Sequence, residues 1–192
     1  DLDANILREY VSLFADSGLG RILKAWLSSE LCPFPPPKKS EDEKYEENEV
    51  PEILTAEDRL AMMTDGVNKA ENSPFAYRLA CDYFLYLEEN ETVVETSRAG
   101  LQVLSAQSTK LSLSLQNTKD ALNSVLGTAL VHYQAPRNHA EAKRLFEDIL
   151  QRKPKLTPAL IGLGLIFEEI ENYGAAIDFL QQALGEDPSN VR

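Results

Sequence analysis

One spacing constrains this chain more than any other feature. Ala142 and Ala176 lie 34 residues apart, as do Phe146 and Leu180, and Pro154 and Pro188. A fixed period of this length limits the fold to a stack of similar units, because one such unit cannot bury its own apolar face. In the last unit, 157–190, apolar residues recur at helical spacing in two runs separated by a turn. Leu163, Gly164 and Phe167 fall on the first run, and Tyr173 sits near the turn. Ala176, Leu180 and Ala183 fall on the second run, and Pro188 closes the unit. Antiparallel helices approach closely only where the contact carries small side chains. That assigns Gly164, Ala176 and Ala183 to the crossing, and the larger Phe167, Tyr173 and Leu180 to the grooves beside it. Pro188 cannot continue a helix and aims the chain into the next element.

Helix–turn–helix content at this period resembles the tetratricopeptide repeat. The unit before the last is looser. Ala142, Phe146 and Pro154 hold their places, but Leu126-Gly127 comes early, and an extra turn around Gln134-Ala135-Pro136 absorbs the slip. A third, degenerate unit fits at about 73–106 with Ala80, Tyr83 and Ala99, although Thr92 replaces the usual alanine and no terminal proline appears. The expected fold is all-α, an α-solenoid of antiparallel helix pairs. A generic helical bundle would not share a 34-residue register.

The rest of the chain reads as helix after helix. Leu2, Ile6, Tyr10, Leu13 and Phe14 mark a first amphipathic helix, broken at Asp16-Ser17-Gly18. A second carries Ile22, Leu23, Trp26 and Leu27 and stops before Pro33, so 1–32 is an irregular helix pair. Residues 33–54 form a proline-rich and acidic insertion. Pro33-Phe34-Pro35-Pro36-Pro37 excludes a helix interior, and Glu41 to Glu49 holds six carboxylates and one lysine, too little apolar surface to offset ordering entropy. Pro33 to Lys38 also fits a PxxPxK ligand pattern, with a plain linker as the simpler reading.

Thr55 and Asp58 form a capping-box pattern ahead of a helix faced by Leu60, Met63 and Val67. Ser73-Pro74 opens another helix, and 55–106 is a helix plus the degenerate repeat. Further helices are expected at roughly 74–88, 91–105, 119–134, 138–152, 157–170 and 173–185. A Ser/Thr/Gln-rich connection occupies 107–117, an irregular repeat 118–156, and the regular repeat with the start of the next 157–192. The first residue is Asp1 and the last lie where another helix is due, which suggests a piece of a longer array.

Composition narrows the chemistry. A formal charge of −12 leaves no surplus of Lys and Arg to displace counterions, so direct nucleic-acid binding is not expected. No apolar run reaches membrane-spanning length, and Asp1-Leu2-Asp3 is acidic where a secretory signal is basic. Cys32 and Cys81 lack CxxC spacing. Either a disulfide or two buried thiols fits, and the missing signal favours thiols in a reducing compartment. The tripeptide Asn90-Glu91-Thr92 matches a glycosylation acceptor, read as coincidence for the same reason.

His132 and His139 are read as flanking a turn, since no cysteine or carboxylate completes a metal set. Glu168-Glu169 is read as a solvated helix face, and Lys143 with Glu147, and Arg144 with Asp148, as surface ion pairs. No phosphate loop, GxSxG or HExxH motif occurs, so no catalytic, cofactor or metal site is expected. The positions that a carboxylate-gripping repeat would fill with Lys, Asn and Arg carry Ile161 and Leu165 in the last unit and Tyr77 and Cys81 in the degenerate one. An apolar inner face suited to partner helices is expected instead.

Several stretches carry a narrower resemblance. Trp26-Leu27-Ser28-Ser29 precedes the acidic insertion, followed by Tyr77-Arg78-Leu79 and Tyr83-Phe84-Leu85. The segment Val131-His132-Tyr133-Gln134-Ala135-Pro136-Arg137-Asn138-His139-Ala140-Glu141-Ala142 completes the set. In order and spacing these resemble the N-terminal arm of the fungal family of tetratricopeptide scaffolds in superkiller (Ski) complexes. The resemblance implies a non-catalytic cytoplasmic scaffold whose partners are a DExH-type RNA helicase, a WD40-repeat subunit and the exosome, acting in 3′-to-5′ mRNA decay and restraint of viral RNA. Two alternatives remain at this point: an adaptor in a ubiquitin-ligase or chaperone assembly, or the repeat region of an enzyme such as a glycosyltransferase.

Overall fold

The computed structural model describes residues 4–34, 54–70 and 72–188. Among these the regular secondary structure is helical: α1 (Ala4–Leu13), α2 (Gly18–Leu27), α3 (Ala56–Lys69), α4 (Pro74–Tyr86), α5 (Asn90–Leu111), α6 (Gln116–His132), α7 (His139–Arg152), α8 (Thr157–Glu169) and α9 (Tyr173–Glu186). Within α1–α3 and within α5–α9 the helices pack mainly on their neighbours along the chain, as a helical-repeat solenoid requires. The helices fall into two compact units, Asp1–Tyr83 and Phe84–Arg192, with the division inside α4.

In the first unit α2 packs on α1 and, more extensively, on α3. The second partner was not anticipated, since the sequence pairs α1 with α2 alone. Glycine explains it. A Cβ on Gly18 would lie 2.5 Å from the Ala70 backbone nitrogen and 2.7 Å from the Gly66 carbonyl oxygen, and one on Gly66 would lie 2.6 Å from Ile22. Only bare backbone at both positions lets the two helices touch. Gly18, read as a helix breaker, is instead the first residue of α2, whose Ser17 cap accepts from the Gly20 amide.

The apolar face expected on α1 is largely unburied. Leu7 is buried, whereas Ile6, Leu13 and Phe14 are exposed. On α3, Met63 is fully buried but Leu60 is exposed, so that face is narrower than the pattern implied. The Thr55–Asp58 capping box forms with both reciprocal bonds, at 2.9 and 3.1 Å. The Thr55 hydroxyl, donating to the Asp58 carboxylate at 2.7 Å, and then the Thr55 amide hold that carboxyl below the usual carboxylate range.

Pro33 and Phe34 lie in irregular chain, with the Phe34 ring edge-on to Trp26 at 6.2 Å. The remainder of the insertion through residue 53, with its proline run and acidic stretch, lies outside the described residues. Its two ends are joined by Arg59, which donates to the carbonyls of Leu54 at 3.1 Å and Ser28 at 3.4 Å and pairs with Glu30. Cys81 is fully buried and Cys32 half-buried, both as free thiols. The expectation of two buried thiols is corrected for Cys32, which sits at the exposed end of its turn, its Sγ 3.7 Å from the Phe34 carbonyl.

In the second unit α6 packs on α5, α7 and α8, and α8 packs on α6, α7 and α9. First helices of successive pairs therefore lie side by side, with the second helices behind them. The connection expected at 107–117 is shorter. Helix α5 continues through Leu111, ends on Ser112 in the left-handed conformation, and α6 opens at Gln116. Within 107–117, Thr109, Ser112 and Ser114 are exposed, while Gln107, Ser108 and Gln116 are half-buried.

The three turns within pairs share one backbone feature. Glu88, Gln134 and Glu171 each have positive φ, 61°, 51° and 59°, two residues past a helix end. After α4 and α8 the hydrogen bonds also match: Glu89 N–H donates to Phe84 at 3.0 Å and Asn172 N–H to Phe167 at 2.9 Å. The degenerate unit thus turns as the regular one does. No glycine stands at these positions, so the turns left no sequence signal.

Candidate protein-interaction surface

The arrangement of α6 and α8 rests on Phe146, fully buried on α7. A Cβ on Gly127 of α6 would fall 2.7 Å from one edge of its ring, and a Cβ on Gly162 of α8 would fall 2.2 Å from the other. The phenyl ring is seated between two bare stretches of helix. Gly127, which comes early for the repeat register, is placed to receive this ring. Gly162 escaped the sequence reading because the 34-residue pattern marks Gly164 instead. Gly164 has its own role: a Cβ there would meet Leu180 of α9 at 2.7 Å.

The remaining repeat positions divide by burial. Ala80, Tyr83, Ala142 and Leu163 are essentially inaccessible, and Ala176 and Ala183 are buried. Leu180 is half-buried, as is Phe167, which stacks on Phe179 at 5.6 Å and lies under the Lys143 ammonium. Lys143 also pairs with Glu147 at 3.7 Å. Pro154 and Pro188 are exposed, each two residues beyond a helix end.

Two positions differ from expectation. Ala99 is only half-buried, because the face α5 buries is carried by Val93, Val94, Thr96, Ser97, Gly100 and Leu104. Tyr173, read as a groove filler, is 59% exposed. It stands just past the α8–α9 turn, on a flank of α9 shared with exposed Ile177 and Leu184.

Asp120 is a buried charge that the sequence did not flag. It is 1% exposed in the first turns of α6, accepts from Gln116 at 2.7 Å and Arg152 at 2.8 Å, and lies 3.5 Å from Lys153. Burial alone would raise its carboxyl, but the bonds from Arg152 and Gln116 and the two nearby cations outweigh it, and the group titrates below the usual range. This cluster ties the start of α6 to the end of α7. Arg98 to Glu141 at 3.0 Å, and the Tyr133 hydroxyl to Glu91 at 2.8 Å, tie α5 to the α6–α7 pair.

The inner side of α6 and α8 ends in a hollow of about 510 Å³. Val131 and Leu165 form its apolar part with Ala135 and Tyr173. Glu168, Glu169 and Glu171 rim it, all exposed. This stretch of surface is not apolar, against the expectation of an apolar inner face, and Glu168-Glu169, exposed as a solvated face requires, also borders the hollow. His139 and His132 also line it. His139 is 7% exposed and its Nε2 lies 3.0 Å from the Val131 carbonyl. A carbonyl only accepts, so Nε2 carries the proton, and Nδ1 is left as a buried acceptor without a hydrogen-bond partner.

At the clamp positions Ile161, Leu165 and Tyr77 are half-buried and Cys81 is fully buried, so none of the four offers a cation to a carboxylate. Among the described residues no group of three or more His, Cys, Asp or Glu side chains is placed to hold a metal ion, and no helix is long and apolar enough to cross a membrane.

No protein-family model matches the chain. It is 28% identical over 128 residues to Superkiller protein 3 of Saccharomyces cerevisiae, an alignment covering 67% of this chain and 9% of that protein. It is 26% identical over 210 residues to Superkiller protein 3 of Schizosaccharomyces pombe, covering 95% of this chain and 15% of that protein. The chain therefore resembles, over two thirds of its length in one case and nearly all of it in the other, a segment spanning about a seventh or less of Superkiller protein 3 from two yeasts.

Proposed function

We propose that this chain is part of a non-catalytic scaffold of a superkiller-type complex, holding protein partners through its helical repeats. The observation that carries the reading is the similarity to Superkiller protein 3 running along 95% of the chain. The all-helical, neighbour-on-neighbour packing supports it, since such arrays present surface for partners and cohere by stacking. The partners are a DExH-type RNA helicase, a WD40-repeat subunit and the cytoplasmic exosome, which the complex supplies with mRNA for 3′-to-5′ decay and through which it restrains viral RNA. The −12 charge accords with leaving RNA to the helicase. Of the repeat positions, Ala80, Tyr83, Ala142, Phe146, Leu163, Gly164, Ala176 and Ala183 serve packing between helices; contact with partners falls to the exposed surface of α6 and α8.

Affinity purification of the full-length protein tests this. Co-recovery of a DExH-type helicase and a WD40 protein in constant ratio is the expected result. Recovery of chaperones or ubiquitin-ligase subunits with neither of those would overturn it.

A further inference from the structure

We infer that the hollow between the last turns of α5 and the first turns of α6 receives an acidic, leucine-bearing segment of a protein partner. The inference rests on the scaffold reading and gives one of its contacts a chemistry.

Charge singles out this stretch. The chain holds 31 acidic residues, yet none lies between Glu95 and Asp120, while Arg98, Lys110 and Lys119 all fall in that interval. Arg98 is taken up by Glu141. Lys110 and Lys119 are exposed and pair with no carboxylate among the described residues. Asp120, the next acid along, does not cancel them, because it is buried and already held by Arg152 and Lys153. Gln116 lines the hollow and donates to Asp120, so these cations and their single buried partner stand at the edge of the hollow. On a chain at −12, a local excess of positive charge of this kind selects a carboxylate-bearing partner.

Shape decides what else the partner carries. The hollow measures about 320 Å³, with Leu101, Leu104 and Leu115 as its apolar part, Ser105 and Ser108 beside them, and Lys119 as the charged residue of its lining. Leu104 is buried but Leu101 and Leu115 are only half-buried, which leaves apolar surface for a side chain such as leucine to cover. Leu111 and Leu113, 53% and 56% exposed in the turn between the two helices, add to that surface. The turn is held in place before any partner arrives. Ser112 takes the left-handed conformation, the Ser108 hydroxyl donates to the Leu113 carbonyl at 2.6 Å, and the Leu113 N–H donates to the Ser108 carbonyl at 3.3 Å. A nucleic acid is the poorer fit, since two unpaired lysines displace few counterions and the lining offers no aromatic face for a base.

The test uses the isotopically labelled 192-residue chain and a blocked peptide, acetyl-Glu-Leu-Leu-Glu-amide, followed by amide chemical shifts. The expected result is saturable shifts confined to 101–123 that weaken as sodium chloride is raised. Acetyl-Gln-Leu-Leu-Gln-amide, which keeps the shape and removes the charge, should bind roughly fivefold or more weakly. The combined variant Lys110→Gln, Lys119→Gln should lose affinity for the acidic peptide to the same extent, with an unchanged thermal melt. Ser105→Trp, which fills the hollow from an exposed position, should abolish binding of both peptides. Equal affinity for the two peptides, undiminished binding to Ser105→Trp, no saturable shift in the millimolar range, or tighter binding of hexauridylate at 101–123 would overturn the inference. Each of these outcomes would leave the scaffold reading intact if the helicase and WD40 protein still co-purify, whereas loss of those partners bears on that reading alone.

Discussion

Adding one methyl group at Gly162 should break the seat of Phe146, and the size of the effect follows from the geometry. The new Cβ would sit 2.2 and 2.3 Å from two ring carbons, where ordinary contact is about 3.5–4.0 Å, so the ring would have to retreat by roughly 1 Å or more. It cannot retreat freely, because Gly127 borders its other edge and the side chain is fully buried. Overpacking of this kind costs about 1–3 kcal/mol. Against that, alanine is better than glycine inside a helix by about 1 kcal/mol. With the ring confined, the net loss for Gly162→Ala should be about 1–2 kcal/mol. At a urea slope of about 1–3 kcal/mol per molar, the midpoint by far-UV circular dichroism should fall by roughly 0.5–1 M with the slope unchanged.

The decisive measurement is the same substitution in a Phe146→Leu background. There the ring is gone, the propensity gain is no longer offset, and Gly162→Ala should turn neutral or stabilising. The coupling between the two sites is then roughly 1–3 kcal/mol. Equal destabilisation in both backgrounds would refute the claim that Gly162 is bare in order to seat Phe146.

Gly18→Ala places its methyl against backbone of α3, which cannot swing aside, so the cost should reach about 3 kcal/mol; fluorescence of Trp26, the single tryptophan and a residue of α2, reads the loss. Asp120→Asn should cost about 1–3 kcal/mol at neutral pH, since Arg152 and Lys153 lose their buried partner. Because the folded carboxyl titrates below its unfolded value of about 3.9, its contribution is complete above that pH and is lost as pH falls through the folded value. The gap between wild type and Asp120→Asn should therefore close on acidification; a gap that widens would contradict the assignment. Ala176→Leu overfills the α8–α9 crossing, where Ala176 is 4% exposed, and should cost about 1–3 kcal/mol in a thermal or urea melt.

Local chemistry made much of the fold legible. Helix class follows from 3.6-residue periodicity, and helix ends from Thr55-Asp58, Ser73-Pro74 and the prolines at 154 and 188. Each of these acts within a turn or two of chain and needs no distant partner. The 34-residue period, carried by Ala142 and Ala176, Phe146 and Leu180, and Pro154 and Pro188, made a stack of helix pairs expected as well.

What only tertiary structure decided are the contacts whose partners lie far along the chain. Gly18 reads as a breaker until α3 arrives with Gly66, and Gly162 is an ordinary helix glycine until Phe146 lies across it. Exposure is equally non-local: Ile6, Leu13, Phe14 and Tyr173 have apolar spacing, yet whether such a side chain is covered depends on which helix packs there. Glu168 and Glu169 read as solvated surface from their own helix, and border a hollow only because Val131 and His139 of other elements lie beside them. Periodicity along the sequence specifies which face of a helix is apolar. The neighbour that buries it, and the hollows left between neighbours, are settled by packing in three dimensions.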